Sequence, residues 1–412
     1  MRGMSESLTI GERVAFYRRR RGLSQEVLAG LVSRTEDWLS KIENNRAELD
    51  RLSVIRRLAD VLDVSLGDLI GEPTLLDWTA DSGKTTVPAL RSALMNYRLL
   101  APMLRQHDPD KAGLPSLAQV QADVAAVFDA YQASRYSYVT TRLPSLLRDA
   151  LGAVEVHRDG DAGRSAHAAL ALSYQAAAAV LTKLGESDLA WIASDRGLAA
   201  AQVSERIPVI GSLFRSVTHS LLSTGRFAAA VQLTEDASTY LAPAMPNADP
   251  ELVSVFGSLF LAASMAASRM DDRSTTRDFL RQAQSAADRL GADQNHLWTA
   301  FGPTNVAIHH VATAMELGDV QLAVDLGPRV DTSPLPIERR VRHAIETARA
   351  LSAWNRRDEA LAALLDAEQV APEQVRHHYL SRQLVLIWMK NDRGSGANGE
   401  LDRLARRLRL SS

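Results

Sequence analysis

Apolar residues recur at helical spacing from the start of the chain. Ile10, Val14 and Tyr17 stand four and three apart, the mark of an amphipathic helix, and the arginines at 18–21 with Gly22 bring it to a close. Ser24 has the chemistry of an N-cap for a second helix, with Gln25 and Glu26 in its first turn and Val27, Leu28 and Leu31 as its apolar face. After a short turn at 32–34, Thr35 is placed to cap a third helix in which Trp38, Leu39 and Ile42 face inward. Asn44 and Asn45 tolerate the left-handed backbone that ends it. Leu52, Ile55, Leu58, Ala59 and Leu62 predict a fourth helix, and residues 64–70 a short fifth. Helices this short are stable only when packed on one another, so the stretch is expected to form a compact unit.

Glu72-Pro73 stops this run, and residues 75–86 read as a linker or docking strap. From Pro88 to about Lys390 there is no strand-type alternation, only Ala-rich helices punctuated by Gly, Pro or Asp. The punctuation recurs. Gly185, Gly225, Gly318 and Asn355 are each followed five residues later by an alanine (Ala190, Ala230, Ala323 and Ala360), and Asp271-Asp272 makes a further break. A spacing of about 40 to 47 residues exceeds the ~34-residue tetratricopeptide period and suits hairpins with longer helices. In the cleanest unit Pro303 precedes a helix over 304–317, Gly318-Asp319 turns, and a second helix starts at Val320. Hairpins that cannot bury their own faces must stack, which predicts a right-handed α-solenoid with a concave inner surface. Residues 391–399 are flexible by composition, and 400–410 predict a short basic helix over the last repeat. The expected fold is all-α, divided into residues 1–73, a linker at 74–87, a helical-repeat body at 88–390 and a tail at 391–412.

Composition narrows the chemistry. None of the 412 residues is cysteine, which removes disulfides, thiolate metal sites and cysteine nucleophiles. Aromatics are only 5%, so Ala and Leu must do most of the packing, again favouring helix. The formal net charge of −2 hides an asymmetry, because residues 13–57 carry eleven basic against six acidic side chains, a net +5. A small basic module on a slightly acidic body is the footprint of a chain that meets phosphate at one end. Residues 1–10 lack the apolar core of a signal peptide, and no uninterrupted apolar stretch has membrane-spanning length, so a cytoplasmic protein is expected.

The strings Gly22-Leu23-Ser24-Gln25-Glu26, Leu28-Ala29 and Trp38-Leu39-Ser40-Lys41-Ile42-Glu43-Asn44 closely resemble the lambda-repressor-like, Xre-type helix-turn-helix family over residues 9–71. The resemblance implies a five-helix domain whose third helix enters the major groove of a double-stranded DNA operator. It implies that Gln25 clamps a phosphate and that Glu36, Asp37 and Ser40 meet base edges, with Thr35 at the head of the same helix. Lys41, Asn44 and Arg46 would meet bases or phosphates beyond. Glu36 and Asp37 depart from the family pattern, since acidic side chains repel phosphate. They either accept from a cytosine amino group or complement the helix dipole. Of the arginines at 18–21, one or two are expected on phosphate and the rest in water.

Other apparent motifs dissolve on inspection. Gly83-Lys84-Thr85-Thr86 imitates the end of a phosphate-binding loop, but Trp78 stands where glycine is needed and no buried strand precedes it. His309-His310 and His377-His378 are adjacent pairs, whereas helical metal ligands want a spacing of three or four. Nothing argues for catalysis, a cofactor or a metal. The body resembles the tetratricopeptide-like sensor portion of Xre-type regulators, of an Arg-rich, Lys-poor actinobacterial type. That resemblance implies a homodimer and an inner groove for a peptide or small effector, with Tyr174, His219, Phe256, Asn305 and His309 as candidate ligand-binding residues. The expected function is a DNA-binding transcription regulator that senses a ligand. The alternative is a helical-repeat interaction scaffold, anchored on DNA and controlled by a protein partner.

Overall fold

The computed structural model describes residues 8–49, 51–64, 66–70, 83–96, 115–392 and 399–410. Among them the chain is all-α, with 21 helices, no strand and one isolated bridge between Gln294 and Phe301. The predicted linker falls mostly on residues 71–82, outside the described ones.

Five helices open the chain: α1 (Ile10–Arg20), α2 (Gln25–Leu31), α3 (Glu36–Glu43), α4 (Leu52–Leu62) and α5 (Leu66–Ile70). Their starts are set by side-chain caps. Thr9 and Glu12 form a reciprocal capping box on α1, Ser24 accepts from the Val27 amide at 3.1 Å, and Thr35 accepts from the Trp38 amide at 3.2 Å. Val14, Leu28, Leu39, Ile42, Ile55, Leu58 and Leu69 make a sealed core. Three expectations shift. Of the apolar face read for α2, Leu28 is buried but Val27 and Leu31 are exposed. Asn45 alone takes the left-handed backbone after α3 (φ 58°), while Asn44 caps at φ −98°. Trp38 is only half-buried, lying on the edge of the core under the Arg34 guanidinium at 5.8 Å. Gly11 matters more than its position suggests. A Cβ there would stand 2.1 Å from the Ile42 carbonyl oxygen, so α1 crosses α3 at a distance only glycine permits.

The segment that imitates a phosphate loop opens a helix instead, α6 (Gly83–Leu94), which buries Val87, Leu90 and Leu94. Six helix hairpins follow: α7 (Leu117–Gln132) with α8 (Tyr136–Val156), α9 (Gly160–Lys183) with α10 (Ser187–Ser204), α11 (Ile207–Ser223) with α12 (Phe227–Leu241), α13 (Pro250–Arg269) with α14 (Arg273–Leu290), α15 (Pro303–Leu317) with α16 (Val320–Leu326), and α17 (Ile337–Ala353) with α18 (Arg357–Val370). One device makes every turn. Ser134, Gly185, Gly225, Asp271, Gly318 and Asn355 all sit at φ between 58° and 83°. The amide of the next residue returns to a carbonyl one turn back in the preceding helix, as in Arg226 to Leu221 at 2.8 Å and Asp319 to Ala314 at 2.8 Å. Five residues past each left-handed position a small or branched side chain (Val139, Ala190, Ala230, Thr276, Ala323, Ala360) is buried against the partner helix. The stack ends in α19 (Pro372–His377), α20 (Tyr379–Asp392) and α21 (Gly399–Arg407), the last burying Leu401 and Leu404 as a lid on the final hairpin.

Helix α13 is long and apolar enough to cross a membrane, unlike the sequence expectation, but it lies almost wholly inside the stack as a core helix. The superhelix also turns back on itself. Ser134 donates to Gln374 at 2.6 Å, the Ser137 amide to Glu373 at 2.9 Å, and Lys183 pairs with Glu338. From the other side Trp298 stacks on Phe128 at 4.4 Å and donates to Asp129 at 3.0 Å. The expected open concave face is therefore crossed by contacts between the first hairpin and later ones.

The first five helices dock on the turn ends of the hairpins and on α20. Leu52 shares a core with Leu221, Leu222 and Phe227, and Arg56 lies over the Phe227 ring at 5.4 Å. Arg51 donates to the Glu316 carbonyl at 2.6 Å and reaches Asp271 at 3.4 Å. Ile10 donates its amide to Gln383 at 3.2 Å, while Glu12 pairs with Lys390 and Glu48 accepts from Ser352. The Glu316 carboxylate, on the inner side of the same turn, meets Arg349 at 3.2 Å and Arg269 at 3.7 Å, all three being under a tenth exposed. Glu316→Ala is expected to cost about 3–5 kcal/mol, because it leaves buried Arg269 without its acid and Arg349 with Glu346 alone. A guanidinium-unfolding midpoint within error of the parent protein would refute this.

Candidate nucleic-acid interface and solenoid interior

Helices α2 and α3 form the bihelical wedge, and its outer face is free of the solenoid. Glu36, Asp37, Lys41, Asn44 and Arg46 are exposed, with Gln25 and Ser40 half-buried at the margin and Thr35 exposed as the cap. The opposite side, made of α4, the start of α1 and Glu48, carries the docking contacts. An exposed α3 with a polar face is the geometry by which a helix is presented to a major groove.

The wedge is welded from within. Arg18 is buried and gives two bonds to Glu43, at 2.6 and 2.8 Å, and a third to the Leu23 carbonyl at 2.8 Å. The bond to Glu43 raises the Arg18 pKa, keeping it charged inside the domain. Gln25 donates to the same Glu43 carboxylate at 2.7 Å. One carboxylate thus ties α1, α2 and α3 together and orients the glutamine at the head of α2. Arg18 is accordingly removed from the four arginines offered to phosphate, and Arg21 donates to the Val61 carbonyl at 2.6 Å, leaving Arg19 and Arg20 exposed.

Charge on α3 is leashed. Asp37 holds Lys41 at 2.7 Å across one turn, both well exposed, and Asn44 donates to the Ser40 carbonyl at 2.7 Å. Glu36 and Asp37 also stand in the first turn, where the amide dipoles favour acids. Sequence reasoning missed Glu43, Gly11 and Arg51. Glu43 carried a signal, an acid one turn after Leu39 and next to Ile42 on the inward side of a predicted helix. The other two are set by contacts distant in the chain and carried none.

In the body the structure separates the five candidate ligand residues. Tyr174 is buried in the core of the early hairpins, and Phe256 packs edge-on against Phe260 at 5.0 Å. Asn305 is buried and donates to the Ala300 carbonyl at 2.7 Å. His219 and His309, on α11 and α15, come within electrostatic reach of each other, both near Arg215 and Arg339 and His219 near Lys183 as well, while His309 also bonds the Asn305 carbonyl one turn back. A cleft of about 440 Å³ opens elsewhere, between α7, α9, α11 and Trp298, and none of the five lines it.

Burial holds the imidazoles of His219, His309 and His378 below the usual 6.5, His309 at about 3, so all three are neutral in the fold. Burial also disfavours the Glu338 carboxylate, but Lys183 and Arg339 outweigh it and hold the group at about 2.

Residues 9–70 match the family model of the Helix-turn-helix domain, and the N-terminal unit is a domain of that kind. No curated protein is similar enough in sequence to match the chain. Among solved structures the chain is similar to BtubC (BKLC) from P. vanneervenii, at 15% identity and a TM-score of 0.39 over 56% of this chain and 91% of that one.

Breaking one partner of the buried wedge pair (Glu43→Ala) should cost about 3–5 kcal/mol, whereas Arg18→Met with Glu43→Leu should recover much of it. Equal losses in the single and double variants, measured by denaturant unfolding, would contradict the pairing. Stability should also fall with acid. Neutral imidazoles in the fold and a depressed Glu338 both mean that the unfolded chain binds more protons. The histidine contribution is intact above 6.5 and is lost as pH falls from there toward about 3, with Glu338 adding its loss between 4.5 and about 2. Each imidazole contributes up to about 1.4 kcal/mol per pH unit. A midpoint that stays flat from about pH 7 to about pH 5 would show the imidazoles to be solvated.

Proposed function

We propose that the protein is a one-component transcription regulator of the Xre type, cytoplasmic and acting by binding rather than catalysis. The observation that carries this reading is the exposed outer face of α3 in a helix-turn-helix domain whose opposite side is fastened to the repeats. Lys41, Asn44 and Arg46 reach phosphates or bases of a double-stranded operator, and Gln25, aligned by Glu43, approaches the backbone at the head of α2. The tetratricopeptide-like solenoid dimerises, so that two copies of α3 stand about one DNA turn apart, ~34 Å, and read a two-fold site. It senses a small ligand through its interior. Because Arg51, Arg56 and Glu48 fix the domain to four of the hairpin turns, a change in solenoid curvature moves α3 with it and alters the half-site spacing.

Genome-wide mapping followed by footprinting tests the reading; a protein that ignores every duplex at low salt overturns it. The leash gives a sharper expectation. Arg46→Ala should weaken binding to all sequences and reduce the salt slope by about one unit, since it removes a phosphate contact. Asp37→Asn should strengthen non-specific binding by releasing Lys41 and removing an anion from the groove. If Asp37 instead reads a cytosine amino group, the same variant weakens binding to the mapped operator alone, by about 1–3 kcal/mol.

A further inference from the structure

The interior of the solenoid holds more positive than negative charge, and part of it has no partner. Glu338 on α17, a twentieth or less exposed, is shared by Lys183 and by Arg339, the latter at 3.7 Å. Arg342 is paired with Glu346 at 2.9 Å and donates to neutral His378 at 3.0 Å. Arg215, on α11, is half-buried and makes no ion pair or hydrogen bond to any described residue; Arg339, the Tyr131 phenol and Glu338 lie within electrostatic range of it, but Glu338 is already engaged by Lys183 and Arg339. An interior guanidinium normally finds an acid or a set of carbonyls, because desolvating it unpaired is unfavourable. Here the like charge of Arg339 adds to that penalty.

The neighbours are suited to an anion that brings its own hydrogen-bonding groups. Burial keeps the Tyr131 phenol protonated, so it is a donor. His309 gives its Nδ1 proton to the Asn305 carbonyl at 2.8 Å, which leaves Nε2 as an acceptor. Arginine forks bind carboxylate and phosphate oxygens two at a time, and a ligand anion there would add to the one negative charge that Glu338 spreads over Lys183, Arg339 and Arg215.

We propose that this interior is the effector site, and that Arg215 and Arg339 receive a carboxylate or phosphate group of a small anionic ligand. The proposal rests on the sensing reading above and names the chemical class of what is sensed. It also supplies a route to the DNA-binding domain. Arg342 shares Glu346 with Arg349, Arg349 binds Glu316, and the Glu316 carbonyl holds Arg51. An anion that draws Arg342 or Arg339 inward pulls on the far end of that chain of contacts.

The test uses the full-length protein, unfolded thermally in inorganic phosphate, pyrophosphate or citrate against sodium chloride of equal ionic strength. The parent midpoint should rise by several degrees in at least one of these anions, citrate marking carboxylate recognition and the phosphates phosphoryl recognition. In Arg215→Met and in Arg339→Met that rise should disappear, with anion affinity down about tenfold or more. Without anion, Arg215→Met should unfold at the same temperature as the parent or higher, because an unpaired interior charge has gone. A rise that persists in Arg215→Met, no rise in the parent, or a marked loss of stability in Arg215→Met without anion would each overturn the proposal. Duplex binding by the parent protein is measured alongside. Anion binding without duplex binding would refute the regulator and keep the site; duplex binding without any anion response would refute the site alone.

Discussion

Glu316 is where the two halves of the molecule meet. Its carboxylate points into the repeats and neutralises Arg349 and Arg269, while its main-chain carbonyl, at the end of α15, receives Arg51 from the helix-turn-helix domain. A carbonyl at a helix end is one of the acceptors the helix cannot satisfy itself, and it lies at the negative pole of the dipole. A guanidinium is therefore the natural partner for it. The same residue thus fixes both the internal electrostatics of the body and the seat of the domain.

That arrangement explains why the domain docks on hairpin turns as well as on α20, where Ile10 and Glu12 meet Gln383 and Lys390. Each turn ends in a left-handed residue, and at Gly225 and Gly318 there is no side chain to keep a neighbour away. The guanidinium of Arg56 approaches the first and that of Arg51 the second, each within 2.9 Å of where a Cβ would stand. The glycines that make the turns possible also make the docking surface. A repeat architecture offers such turns in a row, so a domain laid across them touches several repeats at once and senses their relative placement.

Much of this was legible in the chain. The breaks at Gly185, Gly225, Asp271, Gly318 and Asn355 were readable because a left-handed cap demands particular residues, and, at all but Asp271, because the alanine five positions on is needed for close helix approach. Ser24 and Thr35 were readable because capping is local chemistry. What escaped was whatever depends on distant chain segments. Glu338, Arg342, Glu346 and Arg349 recur at three- and four-residue spacing on α17, a pattern that ordinarily marks a solvated helix face, and only the return of the superhelix onto itself buries them. Arg18 likewise sits in a run of four arginines that looks uniform, and α3 alone distinguishes it by presenting Glu43. Of the candidate ligand residues, His219 and His309 were chosen for inner-face spacing and do converge; Tyr174 and Phe256 satisfied the same spacing yet face the packed side of their helices.

The acidic head of α3 follows from the same balance of charge. A domain with exposed Arg19, Arg20, Arg34 and Arg46, carried on a body that is acidic overall, is drawn to any duplex it meets. Sequence-independent attraction of this kind competes with reading a site. Asp37 lowers it in two ways, by adding a negative charge at the groove-facing end and by holding Lys41 at 2.7 Å. The ion pair is exposed, so it is worth no more than about 1 kcal/mol and is given up readily when a better partner is present. In the proposed regulator Lys41 therefore contributes little to random encounters and fully only where the correct contacts bring it onto the DNA, and its affinity is converted into discrimination.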